Sequence, residues 1–187
     1  MISEVMCIGL WVLLSYIVGA IPVGFLIARV VGIKDITEHG SGTMGATNVA
    51  RTLGMRYFFL VFFIDAGKAA LFLYYAPVSV WHLSIIGLMI GNTRSLFLCG
   101  GGGKGLATLL GILFVIKPFF LIPFLVIWVA GIYVLRSVGK SSTCGLLLLL
   151  AMFIVWPIMH IWWALCGAIM WSLYCHRMYL NKLLHGE

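Results

Sequence analysis

Residues 39–51 read HGSGTMGATNVAR and residues 99–111 read CGGGGKGLATLLG, two polar, glycine-rich stretches in a chain otherwise built mostly of hydrocarbon side chains. The chemistry such stretches can do is anion binding. Glycines let successive backbone N–H groups turn toward one anion, and the hydroxyls of Ser41, Thr43 and Thr47 add donors. Arg51 contributes a planar fork that fits phosphate oxygens. In the second stretch, four glycines and Lys104 lead into a helix carrying Thr108, so a cradle feeds a helix N-terminus. A flexible solvent loop and a tight membrane turn are the plainer readings of the two stretches, although four consecutive glycines make a costly turn. Two catalytic signatures fail. A nucleophile elbow needs glycine two residues before the serine, where His39 stands. A nucleotide P-loop needs glycine at 98 and Ser or Thr at 105, where Leu98 and Gly105 stand.

Two weaker clusters follow. LRSVGKSST, residues 135–143, offers Arg136, Lys140, Ser141 and Ser142, which a positively charged helix flank also explains. In CHRMYLNKLLHGE, residues 175–187, His176 and Arg177 end the last apolar run before a basic amphipathic tail; an interfacial histidine of this kind is commonly structural. Asp65 and Lys68 stand three apart within an apolar helix and form a mutual pair that supports the loop above it. His82, His160 and the tryptophans at 81, 156, 162, 163 and 171 read as interface belts and packing. The 5 cysteines, Cys7, Cys99, Cys144, Cys166 and Cys175, show no CxxC pair or histidine-linked spacing and read as small apolar helix residues. No disulfide framework, metal site or Ser-His-Asp set is indicated.

The elements that must hold these residues are membrane helices. The chain is 63% hydrophobic and 9% charged over 187 residues, and its mean hydropathy is +1.15. A soluble domain needs about 25% charged residues. Apolar stretches at about 5–31, 57–79, 80–98, 106–116, 119–135 and 144–175, the last divided at Pro157, predict an all-α polytopic membrane protein. It has about seven short transmembrane helices joined by glycine-rich cytoplasmic loops, with residues 1–187 as a single unit. Segments 106–116 and 144–156 are shorter than a full span, and Pro77 and Pro118 mark hairpin turns. Residues at the start form a retained first helix, because the apolar run resumes directly after Gly19-Ala20. Arg29, Lys34, Arg51, Arg56, Arg94, Lys104, Arg136, Lys140, Arg177 and Lys182 all fall on one side of this topology, with Lys117 opposite. The positive side faces the cytoplasm, so the N-terminus is outside. All four polar clusters then lie in the cytoplasmic elements 32–56, 92–105, 136–143 and 176–187. The net charge of +7 encodes that topology and draws anionic lipids or phosphates to one face; it gives no reason to invoke nucleic acid.

GSGTMGATNVAR, DAGK, GGKGLAT, the serine-containing stretch after Arg136 and HRMYLNKLLHGE come in the order and spacing of the bacterial acyl-phosphate glycerol-3-phosphate acyltransferases, the PlsY-type family, which they resemble. The resemblance spans almost the whole chain from YIVGAIPVGFLIA onward. It implies a seven-helix enzyme of the bacterial cytoplasmic (inner) membrane that moves an acyl group from acyl phosphate to the sn-1 hydroxyl of glycerol 3-phosphate. The product is lysophosphatidic acid, a phospholipid precursor, and no metal or nucleotide cofactor is used. It also implies that Ser41, Arg51 and Lys104 contact phosphate groups, that Gly102, Gly103 and Gly105 shape the second loop, and that Ser142 and His176 line the glycerol phosphate pocket. Gly42, Thr47 and Asn48 belong to the substrate-binding first motif. No residue is the certain catalyst, because the substrate's own phosphate takes the hydroxyl proton. An acyl phosphate is already activated, so positioning and charge stabilisation carry the rate. Against the family pattern, Thr43, Asn92, Ser95, Gly101, Gly139 and Tyr179 depart; Gly101 and Tyr179 are expected to weaken catalysis, one by losing a positive charge and the other by replacing an amide with a ring. A non-catalytic phosphate- or lipid-binding paralogue and a small transporter are the alternatives. A transporter is expected to carry an internal repeat, which the sequence lacks.

Overall fold

The computed structural model describes residues 2–156 and 161–184, with side chains from residue 4 onward. Ten α-helices occur among the described residues: α1 Ile2–Ala20, α2 Val23–Val30, α3 Ala46–Leu53, α4 Met55–Tyr75, α5 Trp81–Thr93, α6 Leu106–Ile116, α7 Leu121–Leu135, α8 Val138–Val155, α9 Trp162–Cys175 and α10 Arg177–Leu184. No strand occurs among the described residues. Among the described residues, four segments are long and apolar enough to cross a membrane: Glu4–Val30, Met55–Tyr75, Pro118–Leu135 and Val138–Val155. The other apolar helices are shorter, with 13 residues in α5, 11 in α6 and 14 in α9. The break assigned to Pro157 and the interface position of His160 lie outside the described residues.

Three boundaries differ from expectation, each for a local reason. The first apolar run is divided, because Pro22 lacks an N–H and cannot continue the helix. Carbonyls freed at this break find a donor on α4: the Lys68 ammonium lies 2.9 Å from the Gly19 oxygen and 2.8 Å from that of Ile21. The same ammonium pairs with Asp65 at 2.7 Å, as the spacing of three predicts. Residues 46–53, read as loop, are helix α3. Residues 138–143, also read as loop, are the start of α8, which Ser137 caps by accepting the Lys140 N–H at 3.4 Å. That leaves the α7–α8 connection at Arg136-Ser137 alone and makes α8 18 residues long, a full span. Cys99 likewise departs from the helical reading and sits exposed in a turn at φ 49°.

Packing is close where side chains are small. Gly87 and Gly91 of α5, four residues apart, meet α1 so tightly that an added Cβ would overlap Ser15, Tyr16 and Ala20. Small residues at this spacing let membrane helices approach by van der Waals contact. α4 packs on α6, α7 on α8, α9 on α5 and α8, and α10 folds back onto α8 and α9. The core between them is aliphatic and aromatic, centred on Leu73, Leu88, Leu109, Leu113, Phe124 and Leu146. Outward faces carry Phe63, Leu71, Val126 and Val129, each more than half exposed, which suits contact with lipid tails. Trp156, Trp162 and Trp163 are exposed, and His82 lies beside Trp163 with ring centroids 5.7 Å apart. Trp171 has a different place: its indole donates inward to the Thr93 hydroxyl at 2.8 Å.

Candidate functional site: a cleft with a cationic end

Asn48, on the first turns of α3, organises the first glycine-rich stretch. Its amide nitrogen donates to the carbonyls of Ile36 at 3.1 Å, His39 at 2.9 Å and Thr43 at 2.7 Å. Its oxygen accepts the Ser41 backbone N–H at 2.6 Å and the Ser41 hydroxyl at 3.2 Å. Residues 36–43 are thereby drawn into a ring around one buried amide, with Gly40 at φ 58° making the reversal. The amide is spent on the loop, so Asn48 holds the site's shape instead of offering free donors to a ligand. Ala46 and Thr47 begin α3, where N–H groups have no intrahelical acceptor.

The second stretch folds back on the end of α5. Gly103 donates its N–H to the Asn92 carbonyl at 2.9 Å, and Ser95 exchanges backbone bonds with Gly100 and Gly101 at 2.9 Å each. The buried Ser95 hydroxyl donates to the Ala20 carbonyl at 2.6 Å, tying this loop to the α1–α2 break. From the other side, the Asn92 amide reaches Asp65 at 3.5 Å. A continuous polar path therefore joins the Lys68–Asp65 pair to the loop that carries Lys104. Gly102 lies against the backbone of Asn92 and Thr93 with no room for a Cβ.

The two loops meet α4, α7, α8 and the α9–α10 junction around one cleft. Ser41, Thr47, Asn48, Gly103, Lys104, Gly105, Ser142 and His176 all line it. Gly42, Arg51 and Gly102, expected with them, do not. Gly42 is exposed on the outer side of the first loop and Gly102 is structural. Arg51 is exposed, but its guanidinium lies 3.5 Å from the hydroxyl of Tyr179, which does line the cleft. Lys104 holds its ammonium 4.1 Å from the centre of the same ring. Two cations thus converge on one phenol at the polar end.

Protonation at that end follows from burial and charge. Burial pushes His176 down to about 4, so the ring is neutral at physiological pH. Its Nδ1 lies 2.8 Å from the Ser172 carbonyl, which can only accept, so Nδ1 carries the proton and Nε2 is bare. Burial also lowers Lys104 below the ordinary lysine value. For Tyr179, burial alone would raise the phenol, but the Arg51 hydrogen bond and the Lys104 charge together bring it below its usual value. The Ser142 hydroxyl donates to the Val138 carbonyl at 2.8 Å and accepts the Trp128 indole N–H at 3.0 Å. It is held, with no base to activate it.

The rest of the cleft's lining includes a hydrocarbon wall. Phe58, Phe62, Leu110, Phe124, Leu125 and Trp128 form it, with Phe58 stacked on Phe62 at 5.7 Å and on Trp128 at 6.2 Å. Leu125 is 44% exposed while lining the cleft. Sequence reasoning missed this wall, because aromatic residues in an apolar helix look the same whether they face lipid or a cleft. It also left Asn92 as a departure only, when the structure makes it the link between Asp65 and the Lys104 loop.

Comparison with known proteins bears on the same residues. The glycerol-3-phosphate acyltransferase family model matches residues 9–186. A glycerol-3-phosphate acyltransferase of Synechococcus sp. (strain JA-2-3B'a(2-13)) is 38% identical over 185 residues, covering 94% of this chain and 90% of the relative. Another, of Aquifex aeolicus (strain VF5), is 34% identical over 185 residues, covering 94% and 95%. Crystal structures of PlsY (YgiH), an integral membrane glycerol 3-phosphate acyltransferase, in glycerol 3-phosphate and lysophosphatidic acid forms, align with a TM-score of 0.85 at 28% identity, over 96% of this chain and 93% of theirs.

Proposed function

Since the chain belongs to the glycerol-3-phosphate acyltransferase family, we propose that its cleft transfers an acyl group from an acyl phosphate to the sn-1 hydroxyl of glycerol 3-phosphate, giving lysophosphatidic acid. One observation carries this reading: a single cavity is lined both by Lys104, Ser41, Thr47 and neutral His176 and by stacked aromatic side chains. Phosphate suits the first set of residues and a fatty acyl chain the second. The non-catalytic and transporter alternatives are not favoured, since the relatives share the acyltransferase name across nearly the whole chain.

The chemistry needs no protein nucleophile. The sn-1 oxygen attacks the acyl carbonyl carbon, the new ester C–O bond forms, and the C–O bond to the phosphate breaks. Inorganic phosphate leaves, and the hydroxyl proton passes to substrate phosphate. Lys104, with Arg51 behind Tyr179, stabilises the departing charge. Ser142 and His176 orient the glycerol end: with Nδ1 occupied, His176 Nε2 is a hydrogen-bond acceptor suited to a hydroxyl and a weak base. Asn48 and the Asp65–Asn92 link position the two loops.

The basic residues support an N-terminus outside, with the cleft's polar end facing the cytoplasm of a bacterial inner membrane, and a seven-crossing reading in which the short helices α5, α6 and α9 also span. The donor is tested by offering purified protein glycerol 3-phosphate with either acyl phosphate or acyl-CoA. Lysophosphatidic acid is expected from acyl phosphate only; equal turnover of acyl-CoA would sink the donor assignment.

A further inference from the structure

Gly139 and Tyr179, two departures that look independent in the sequence, touch in the fold. The Tyr179 ring lies so close to Gly139 that a Cβ added there would overlap three ring carbons. Gly139 has no positive φ that would call for glycine. Glycine within a helix is less favourable than alanine, so what it gives α8 here is room. The ring fills that room, and both residues line the cleft. The hydroxyl at the end of the ring accepts from Arg51 at 3.5 Å, which leaves its own proton to donate onward. With the Lys104 ammonium 4.1 Å above the ring, three donors from α3, the second loop and α10 meet at one point.

We propose that Gly139 and Tyr179 form one coupled element of the substrate site: the ring takes the volume a side chain at 139 would hold, and the phenol donates to a substrate phosphate oxygen beside Arg51 and Lys104. This rests on the proposed function, since it takes the cleft as the substrate site. The lowered proton affinity of the phenol fits, as a more acidic hydroxyl is a stronger donor. Both substrates carry a phosphate group, and the kinetics separate them.

The test uses wild type, Tyr179→Phe, Tyr179→Asn, Gly139→Ser and the Gly139→Ser/Tyr179→Asn pair. Tyr179→Phe keeps the ring and removes the donor. It should raise KM about tenfold for the substrate whose phosphate it meets, with a smaller fall in kcat. Unchanged KM for both substrates would overturn the ligand assignment. Gly139→Ser should cost at least about tenfold in kcat/KM in the wild-type background and less than about threefold in the Tyr179→Asn background, because the clash is gone. An equal cost in both backgrounds would overturn the coupling. Unfolding midpoints of the same proteins read that coupling without turnover. A wild type with no acyltransferase activity contradicts the proposed function alone; the stabilisation that glycerol 3-phosphate or acyl phosphate gives wild type, lost for either one in Tyr179→Phe, still supports the phenol as ligand, and its retention for both overturns it.

Discussion

His176 is neutral because burial, not a partner, sets its charge. Its folded value of about 4 lies below the ordinary 6.5, so its contribution to stability is full above pH 6.5 and is lost as pH falls toward 4. The loss approaches roughly 3 kcal/mol. We therefore expect the unfolding temperature in detergent to drop over that window and His176→Asn to flatten the drop; an unchanged slope in the variant would contradict the assignment. Between pH 7 and 8, His176 should leave no inflection in the rate. At the residue scale the sequence singled out Lys104, Ser142 and His176, and the fold brings all three to one cleft. The sequence was least legible for Asn48, whose five hydrogen bonds inside the loop no spacing rule reveals. Gly101 itself is outside the cleft lining, two residues before Gly103, which is in it.

Among the elements, α4 bears the most unusual duty. Lys68 satisfies two carbonyls at the Pro22 break and pairs with Asp65, which reaches Asn92 and so the Lys104 loop. Removing one partner of a buried ion pair costs about 3–5 kcal/mol, since the other charge is left uncompensated. Lys68→Met should accordingly lower the unfolding midpoint sharply, and Asp65→Asn added to it should recover part of the loss. Additive effects would show that the two residues do not act as a pair. Helix boundaries were misread from sequence where polar residues satisfy themselves locally. In α8 the hydroxyls of Ser141, Ser142 and Thr143 bond back to the carbonyls of Ser137, Val138 and Gly139 at 2.7, 2.8 and 3.0 Å. A hydropathy pattern scores those residues as loop, although inside the helix their polarity is already met.

At the scale of the whole molecule, composition alone established a helical membrane protein, and the charge pattern gathered the polar clusters that the fold brings to one cleft. The number of crossings was less legible, because α5, α6 and α9 fall short of the ~20 residues of a full span. With the 5 native cysteines replaced, an impermeant thiol reagent applied from outside should label Lys117→Cys and spare Lys140→Cys and Lys182→Cys; the opposite pattern would reverse the orientation. The central claim is that the cationic end of the cleft supports acyl transfer from acyl phosphate. It is tested most directly by following lysophosphatidic acid and inorganic phosphate together in purified wild type and Lys104→Ala, supplied with acyl phosphate and subsaturating glycerol 3-phosphate. Wild type is expected to give the two products in equal amounts and the variant at least about a tenfold lower rate, as befits the loss of one charge-assisted contact worth about 1.5–3 kcal/mol. Absence of lysophosphatidic acid from wild type, or an undiminished rate in Lys104→Ala, would contradict it.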